Sequence, residues 1–365
     1  MLPFLVARAL VIGALVLTRF LVDQLHPTGA IGARAIGTAH AGLLSWDAAW
    51  YRRIAETGYA GAGTSSLRFF PLLPLLARGL AVMPGVSDGT ALLVIANVCG
   101  FAALVLLHRL VAHERLGEGV AEGSLWVLSL WPAAFVLTMG YAEALLLLLS
   151  IAAFLAWRGE RWWWGALPAY LAGTARPVGM LLAVPALVEA VRWWLNRGSH
   201  PPAAVLARLA SIAAAPAGAV TYLAWSAAVG YGFFKPMSIQ LGGTHRGALS
   251  DPLSTLFHDL VDLVHGHHVG SALHAPFVVV FVLLTIYLFF RLPAAYGWYA
   301  AATMAVALTA HNLDGLERYG LSCFPLAIAA ACLMKPRWAE RTVLAGLGAM
   351  VTVLAALTFL GLYVP

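Results

Sequence analysis

Long apolar runs separated by short polar breaks dominate this chain. A run of about 20 apolar residues crosses a hydrocarbon core, and on that rule the pattern predicts about eleven membrane-embedded helices. They lie near 4–24, 88–110, 120–139, 142–157, 162–175, 177–195, 203–229, 271–290, 294–311, 319–334 and 341–362. The first run reads as a retained transmembrane helix, because no small-residue cleavage site clearly follows it. The runs do not alternate every second residue, which excludes a β-barrel. Phe69 to Met83 is apolar but broken by Pro71, Pro74 and Arg78, so a re-entrant or interfacial hairpin is predicted there. The expected fold class is an all-α polytopic membrane protein, a single integral domain over residues 1–365.

Composition agrees: 61% of residues are hydrophobic and only 10% charged, against roughly 25% charged in soluble domains. The three cysteines, Cys99, Cys323 and Cys332, sit inside apolar runs, which argues against a disulfide framework or a zinc site. Positive charge is scattered and follows topology, so nucleic acid is not an expected partner. With the N-terminus cytoplasmic, the inner side carries 12 basic and 6 acidic residues and the outer side 10 of each. That asymmetry supports an N-in arrangement. The long polar segments 25–68 and 230–270 and the short loop His311 to Tyr319 then share the outer face. An enzyme acting at the outer surface of the membrane is expected to look this way, whereas a transporter more often carries polar groups at mid-membrane in both halves.

The densest chemistry is SWDAAWYRRIAETGY, Ser45 to Tyr59. Charges near lipid are costly and usually mark a site of binding or reaction. Ser45 is expected to cap an interfacial helix over about 46–57. Asp47 falls in its first turn, where the helix dipole favours a carboxylate. Asp47 and Tyr51 share one face, as do Trp46 and Trp50. Glu56 falls about half a turn out of phase with Asp47. The bland alternative makes Asp47 a cap and sends Arg52 and Arg53 to lipid headgroups.

Further candidates follow along the outer face. Arg68, in LRFFPLLP, either positions a lipid phosphate or snorkels above a hairpin. Glu143 sits at the outer end of a hairpin, where it either serves the site or stabilises the next helix. Arg176, in TARPVG, is wedged between two apolar helices and needs an anionic partner, a phosphate or Glu143 itself. HNLDGLERYG supplies His311, Glu317, Arg318 and Tyr319, with Arg318 a second candidate for phosphate and Glu317 orienting it or solvated. Lys235 and Gln240 are candidates for a phosphate and a sugar hydroxyl. His258, His265, His267, His268 and His274 lack a tight ligand spacing, so solvated or interfacial histidines are expected rather than a metal site. No glycine-rich phosphate loop and no paired Asp-x-Asp occur, which disfavours a soluble nucleotide-sugar donor.

WDAAWYRRIAETGY at 46–59, FFPLLP at 69–74, GYAEALL at 140–146 and TARPVG at 174–179 together resemble one family. It is the mannosyltransferases that add the second mannose of glycosylphosphatidylinositol anchors, PIG-V, and their bacterial relatives. FKPMSIQ and ERYGLSCFPL resemble the later parts of the pattern less specifically. The resemblance implies a GT-C glycosyltransferase fold, an outer-face active site, a polyprenyl-phosphate mannose donor and inversion at the anomeric carbon. It maps the family's first-loop aspartate onto Asp47 and implies neither metal nor cofactor.

On this reading Asp47 is the general base. Arg176, Arg318, Lys235 and Arg68 bind the donor phosphate. Trp46, Trp50, Tyr51, Glu56, Glu143, Gln240, His311 and Tyr319 meet the sugar or acceptor, which is a lipid or glycan. The expected location is a bacterial plasma membrane, since a chain rich in Ala, Gly and Arg suggests a high-GC bacterium. The alternatives are a GT-C transferase using another polyprenyl-phosphate sugar and a lipid-linked sugar flippase.

Overall fold

The computed structural model describes residues 1–196, 198–242, 250–265, 274–309, 313, 315–334 and 337–364, and every regular element among them is a helix. The helices used below are α1 (Leu2–Leu25), α2 (Gly29–Ala41), α3 (Asp47–Ala62), α4 (Leu72–Leu80), α5 (Asp88–His113), α6 (Glu118–Ser129), α7 (Glu143–Arg158) and α8 (Trp162–Ala175). They continue as α9 (Ala183–Asn196), α10 (Pro202–Ala228), α11 (Lys235–Gln240), α12 (Pro252–His265), α13 (Ala275–Arg291) and α14 (Ala294–Leu308), and end with α15 (Leu316–Ser322), α16 (Phe324–Leu333) and α17 (Arg337–Phe359).

Among the described residues, five helical segments are long and apolar enough to span a bilayer: α1, α5, Pro177–Asn196, α10 and α17. A sixth arises if α15 and α16, bent by 83°, count as one. These features fit an integral membrane protein of the polytopic all-α class. The eleven predicted spans exceed that count because the runs near 142–157, 162–175, 271–290 and 294–311 form regular helices of only 14–17 residues, and two further runs are broken by irregular backbone. The run expected over 120–139 ends as a helix at Ser129, and a 3-10 turn follows at Ala134–Leu137. The run expected over 319–334 breaks at Cys323, just ahead of Pro325, which has no N–H to continue the ladder. The predicted non-spanning hairpin at 69–83 is the nine-residue α4. Helices α2, α11 and α12 lie in segments read as polar loops.

Local chemistry explains several element ends. Ser87 Oγ accepts the Thr90 N–H and starts α5, with Asp88 in its first turn. The most extensive helix pair is α8 with α10. A Cβ on Gly173 would overlap the Ala215 carbonyl, and one on Gly218 the Tyr170 carbonyl, so glycine lets the two backbones touch. That close pair fixes where the chain leaves α8, at Thr174 to Arg176.

A second anchor sets the start of α3. The Gly140 N–H donates to the Leu43 carbonyl at 3.1 Å, and a side chain at Gly140 would press on Leu44, Ala48 and Leu92. The turn between α6 and α7 therefore docks directly against the beginning of α3.

Candidate active site

Asp47 is the first residue of α3, and the backbone that presents it is unusual. Trp46 has φ +58°, a left-handed conformation costly for a bulky side chain, of order 1–3 kcal/mol. Two contacts hold it. Trp46 Nε1–H donates to the Thr358 carbonyl at 3.0 Å, and the Asp47 N–H donates to the Tyr141 hydroxyl at 3.2 Å. Ser45 does not cap the helix as expected; its hydroxyl donates instead to the Gly42 carbonyl at 2.7 Å. The helix does break at Gly58 as expected, at φ +70°, and a second short helical stretch carries α3 on to Ala62.

Asp47 opens onto a cavity of about 290 Å³. Tyr51, Arg68, Arg176, Arg318, Tyr319 and Gln240 share its walls, so candidates from five segments of the chain converge. Its remaining lining is apolar and includes Phe70, Met180, Leu181, Met237, Leu241 and Val306. Charged and hydrocarbon-like side chains thus line one space.

The charged groups form one connected network. Arg318 Nη1 stands 2.7 Å from Asp47 Oδ2 and 3.3 Å from Glu143 Oε1. Arg176 Nη1 pairs with the same Glu143 oxygen. Glu143 is buried, at 1% exposure, behind the two arginines. Arg68 lies over the Phe69 ring at 4.7 Å and the Trp50 ring at 5.8 Å. Burial pushes the Asp47 carboxyl up, but Arg318, Arg68 and Arg176 together outweigh burial and hold it below the usual carboxylate range. Among the described residues, Arg318 Nε has no hydrogen-bond partner although it is buried. Among the described residues, three guanidinium groups, those of Arg68, Arg176 and Arg318, and two carboxylates, those of Asp47 and Glu143, gather at this cavity.

Behind Arg318 a second buried cluster holds α15. Glu317 Oε2 accepts from the Tyr363 hydroxyl at 2.9 Å and lies 2.6 Å from His274 Nδ1. The Glu317 backbone carbonyl accepts Trp131 Nε1–H at 2.9 Å. Glu317 is fully buried rather than solvated, and His274, expected among solvated histidines, is 1% exposed. His258 and His265 do lie exposed on α12, while His267 and His268 lie outside the described residues.

Several candidates stand away from the cavity wall. Trp46 serves as the clamp to Thr358 instead of a stacking surface. Trp50 stacks behind Phe69, ring centroids 5.9 Å apart. Glu56 is exposed and pairs with Arg52 one turn away at 3.4 Å, as its phase on the helix requires. Lys235 is exposed at the start of α11, whose other end brings Gln240 to the cavity. Glu143 reaches the site only through the two arginines. His311 lies outside the described residues. Sequence reasoning missed Tyr141, Tyr363, Phe70 and Met180. Tyr141 and Phe70 lay within quoted motifs, GYAEALL and FFPLLP, and could have been singled out; Met180 and Tyr363 carry no local signal.

The family model described as mannosyltransferase (PIG-V) matches residues 21–189, a segment that contains Asp47, Arg68, Glu143 and Arg176. Over this segment, a little under half of its length, the chain is similar to the PIG-V mannosyltransferases. No curated protein matches the chain. The family supports a mannosyltransferase activity, with a sugar donor and an acceptor as its substrates. Arg318, Tyr319 and Gln240 lie beyond the matched segment and reach the same cavity through the fold.

Proposed function

We propose that the protein transfers mannose from polyprenyl-phosphate mannose to a lipid or glycan hydroxyl at the outer face of the membrane, with inversion and with Asp47 as general base. One observation carries this reading: a carboxylate and three guanidinium groups share a single cavity with apolar side chains. Guanidinium groups pair well with a phosphodiester, which bears one negative charge. Arg68, Arg176 and Arg318 would cradle that phosphate, and the first prenyl units would lie along Phe70, Met180, Leu181 and Val306.

In the reaction the acceptor oxygen bonds to the sugar C1 as the C1–O bond to phosphate breaks. The bonding pair leaves with the polyprenyl phosphate, and the acceptor proton passes to Asp47. Negative charge thus moves from Asp47 to the departing phosphate, towards the arginines. They bind the leaving group more tightly than the donor, and that difference accelerates the step. The arginines do the charge work a metal does at pyrophosphate donors, and no cofactor enters the scheme.

Donor binding would also tune the base. In the free protein Arg318 holds the Asp47 carboxyl low, and a weakly basic carboxylate accepts protons poorly. A phosphate that draws Arg318 towards itself and adds negative charge raises the basicity of Asp47. Basicity would then appear once the donor is seated, which suppresses idle hydrolysis.

The experiment is transfer from labelled polyprenyl-phosphate mannose by the purified protein, followed by product stereochemistry. Transfer with inversion that disappears in Asp47→Asn supports the reading. Translocation of the intact lipid without a new product would identify a flippase, and turnover restricted to another prenyl-phosphate sugar would reassign the donor.

A further inference from the structure

A second cavity, of about 390 Å³, lies on the other side of the Phe69–Pro71 wall. Phe70 faces the first cavity, and its ring packs on Tyr222, a wall of the second, at 4.7 Å. The aromatic lining of this second space is Tyr59, Tyr222 and Trp225. Both tyrosine hydroxyls donate into the partition, Tyr59 to the Phe69 carbonyl at 2.7 Å and Tyr222 to the Leu67 carbonyl at 2.8 Å. What remains towards the cavity is ring surface.

The two threonine hydroxyls of the lining are likewise occupied. Thr174 and Thr221 hydroxyls donate to the Leu171 and Ala217 carbonyls of their own helices, each at 2.8 Å. A sugar would find few partners here, whereas a hydrocarbon chain needs none. Leu75 lines the space yet is 61% exposed, so the cavity opens past α4 to the outside of the helical bundle. At that side stands Arg78. Its Nε donates to the Ala55 carbonyl at 2.7 Å, and it pairs with no carboxylate among the described residues. An exposed cation beside a chain-sized apolar trough is complementary to a lipid whose headgroup carries a phosphate.

We propose that this cavity is a second lipid site, for an anionic phospholipid whose phosphate meets Arg78 and whose chain lies on Tyr59, Tyr222 and Trp225. Resting on the transfer reaction above, its role is to bring a lipid-anchored acceptor to the Asp47 cavity from the opposite side of the Phe69–Pro71 wall. Each of the two substrates then has its own arginine and its own apolar trough.

The test is photolabelling in nanodiscs with phosphatidylglycerol carrying a diazirine in one acyl chain, and with phosphatidylcholine carrying the same group. The expected result is that peptides containing Tyr59 or Trp225 are labelled several-fold more by phosphatidylglycerol. Arg78→Ala should abolish that preference, and Arg78→Lys should keep it. Leu75→Trp, placed on an exposed rim where it need not disturb the core, should reduce labelling by both lipids. Asp47→Asn should label like wild type, so that a failure of the catalytic reading leaves this result legible. Equal labelling by the two lipids, labelling indifferent to Arg78→Ala and Leu75→Trp, or none at these peptides would overturn the proposal.

Discussion

Arg318 Nη1 donates to Asp47 Oδ2 at 2.7 Å across 271 residues of sequence. The same nitrogen lies 3.3 Å from Glu143, so one guanidinium ties the start of α3 to the start of α7. On the proposed function the pair would supply both halves of the chemistry, a proton acceptor and a seat for the charge that leaves.

Replacing Asp47 with asparagine keeps the shape and removes the base. Transfer should fall at least about 10²-fold, the lower range of a positioned general base. Expression and thermal unfolding midpoint should stay near wild type. Initial rates with purified donor check the first point and a melting curve the second; substantial retained turnover would remove Asp47 from the mechanism.

Arg176→Lys and Arg318→Lys preserve charge but lose the planar fork. Because that fork matches phosphate geometry, both variants should lose more kcat than donor KM alone explains. Unaltered kinetics in Arg176→Lys would reduce that side chain to a structural partner of Glu143.

The pH profile carries a sign. A carboxyl held below its ordinary value contributes ion-pair stability above the unfolded value, near 3.9 for aspartate, and loses it as pH falls through the lower folded value. The free protein should therefore keep Asp47 ionised through neutral pH. The bound donor weakens the hold of Arg318, so the acid limb of kcat should lie at higher pH than the acid limb of kcat/KM for the donor. Coincident limbs would show that donor occupancy does not change the basicity of Asp47.

Glu143→Ala leaves two arginines facing each other without their shared carboxylate. Removing one partner of a buried ion pair costs about 3–5 kcal/mol. The unfolding midpoint should drop clearly, and donor addition should recover part of it by returning an anion to Arg176 and Arg318. Equal stability with and without Glu143 would contradict the network drawn here.

Glu317→Gln probes the support behind Arg318. Glutamine can still accept from Tyr363, but the charge beside His274 is lost, and a weakened buried hydrogen bond costs about 1–3 kcal/mol. If Glu317 positions Arg318, donor KM should rise well beyond any change in acceptor KM. Tyr363→Phe should reproduce the effect in milder form. A uniform loss of folded protein with unchanged constants would assign Glu317 to stability alone.

Sequence by itself determined much of the chemistry. Charge is so costly beside lipid that the cluster at 45–59 and the arginines at 68, 176 and 318 stood out against apolar surroundings, and the 3.6-residue period put Asp47 and Tyr51 on one face and Glu56 off it. Helix α8 ends where its apolar run ends. Tertiary structure alone decided which of these groups meet. Lys235 and Gln240 open and close one short helix, yet only Gln240 reaches the cavity. Trp46 became a backbone clamp because Thr358, far along the chain, offers its carbonyl. His274 left the solvent because Glu317 and Tyr363 close over it. Periodicity reports that a face is buried, but the partner that buries it comes from distant sequence, and no local pattern encodes that contact.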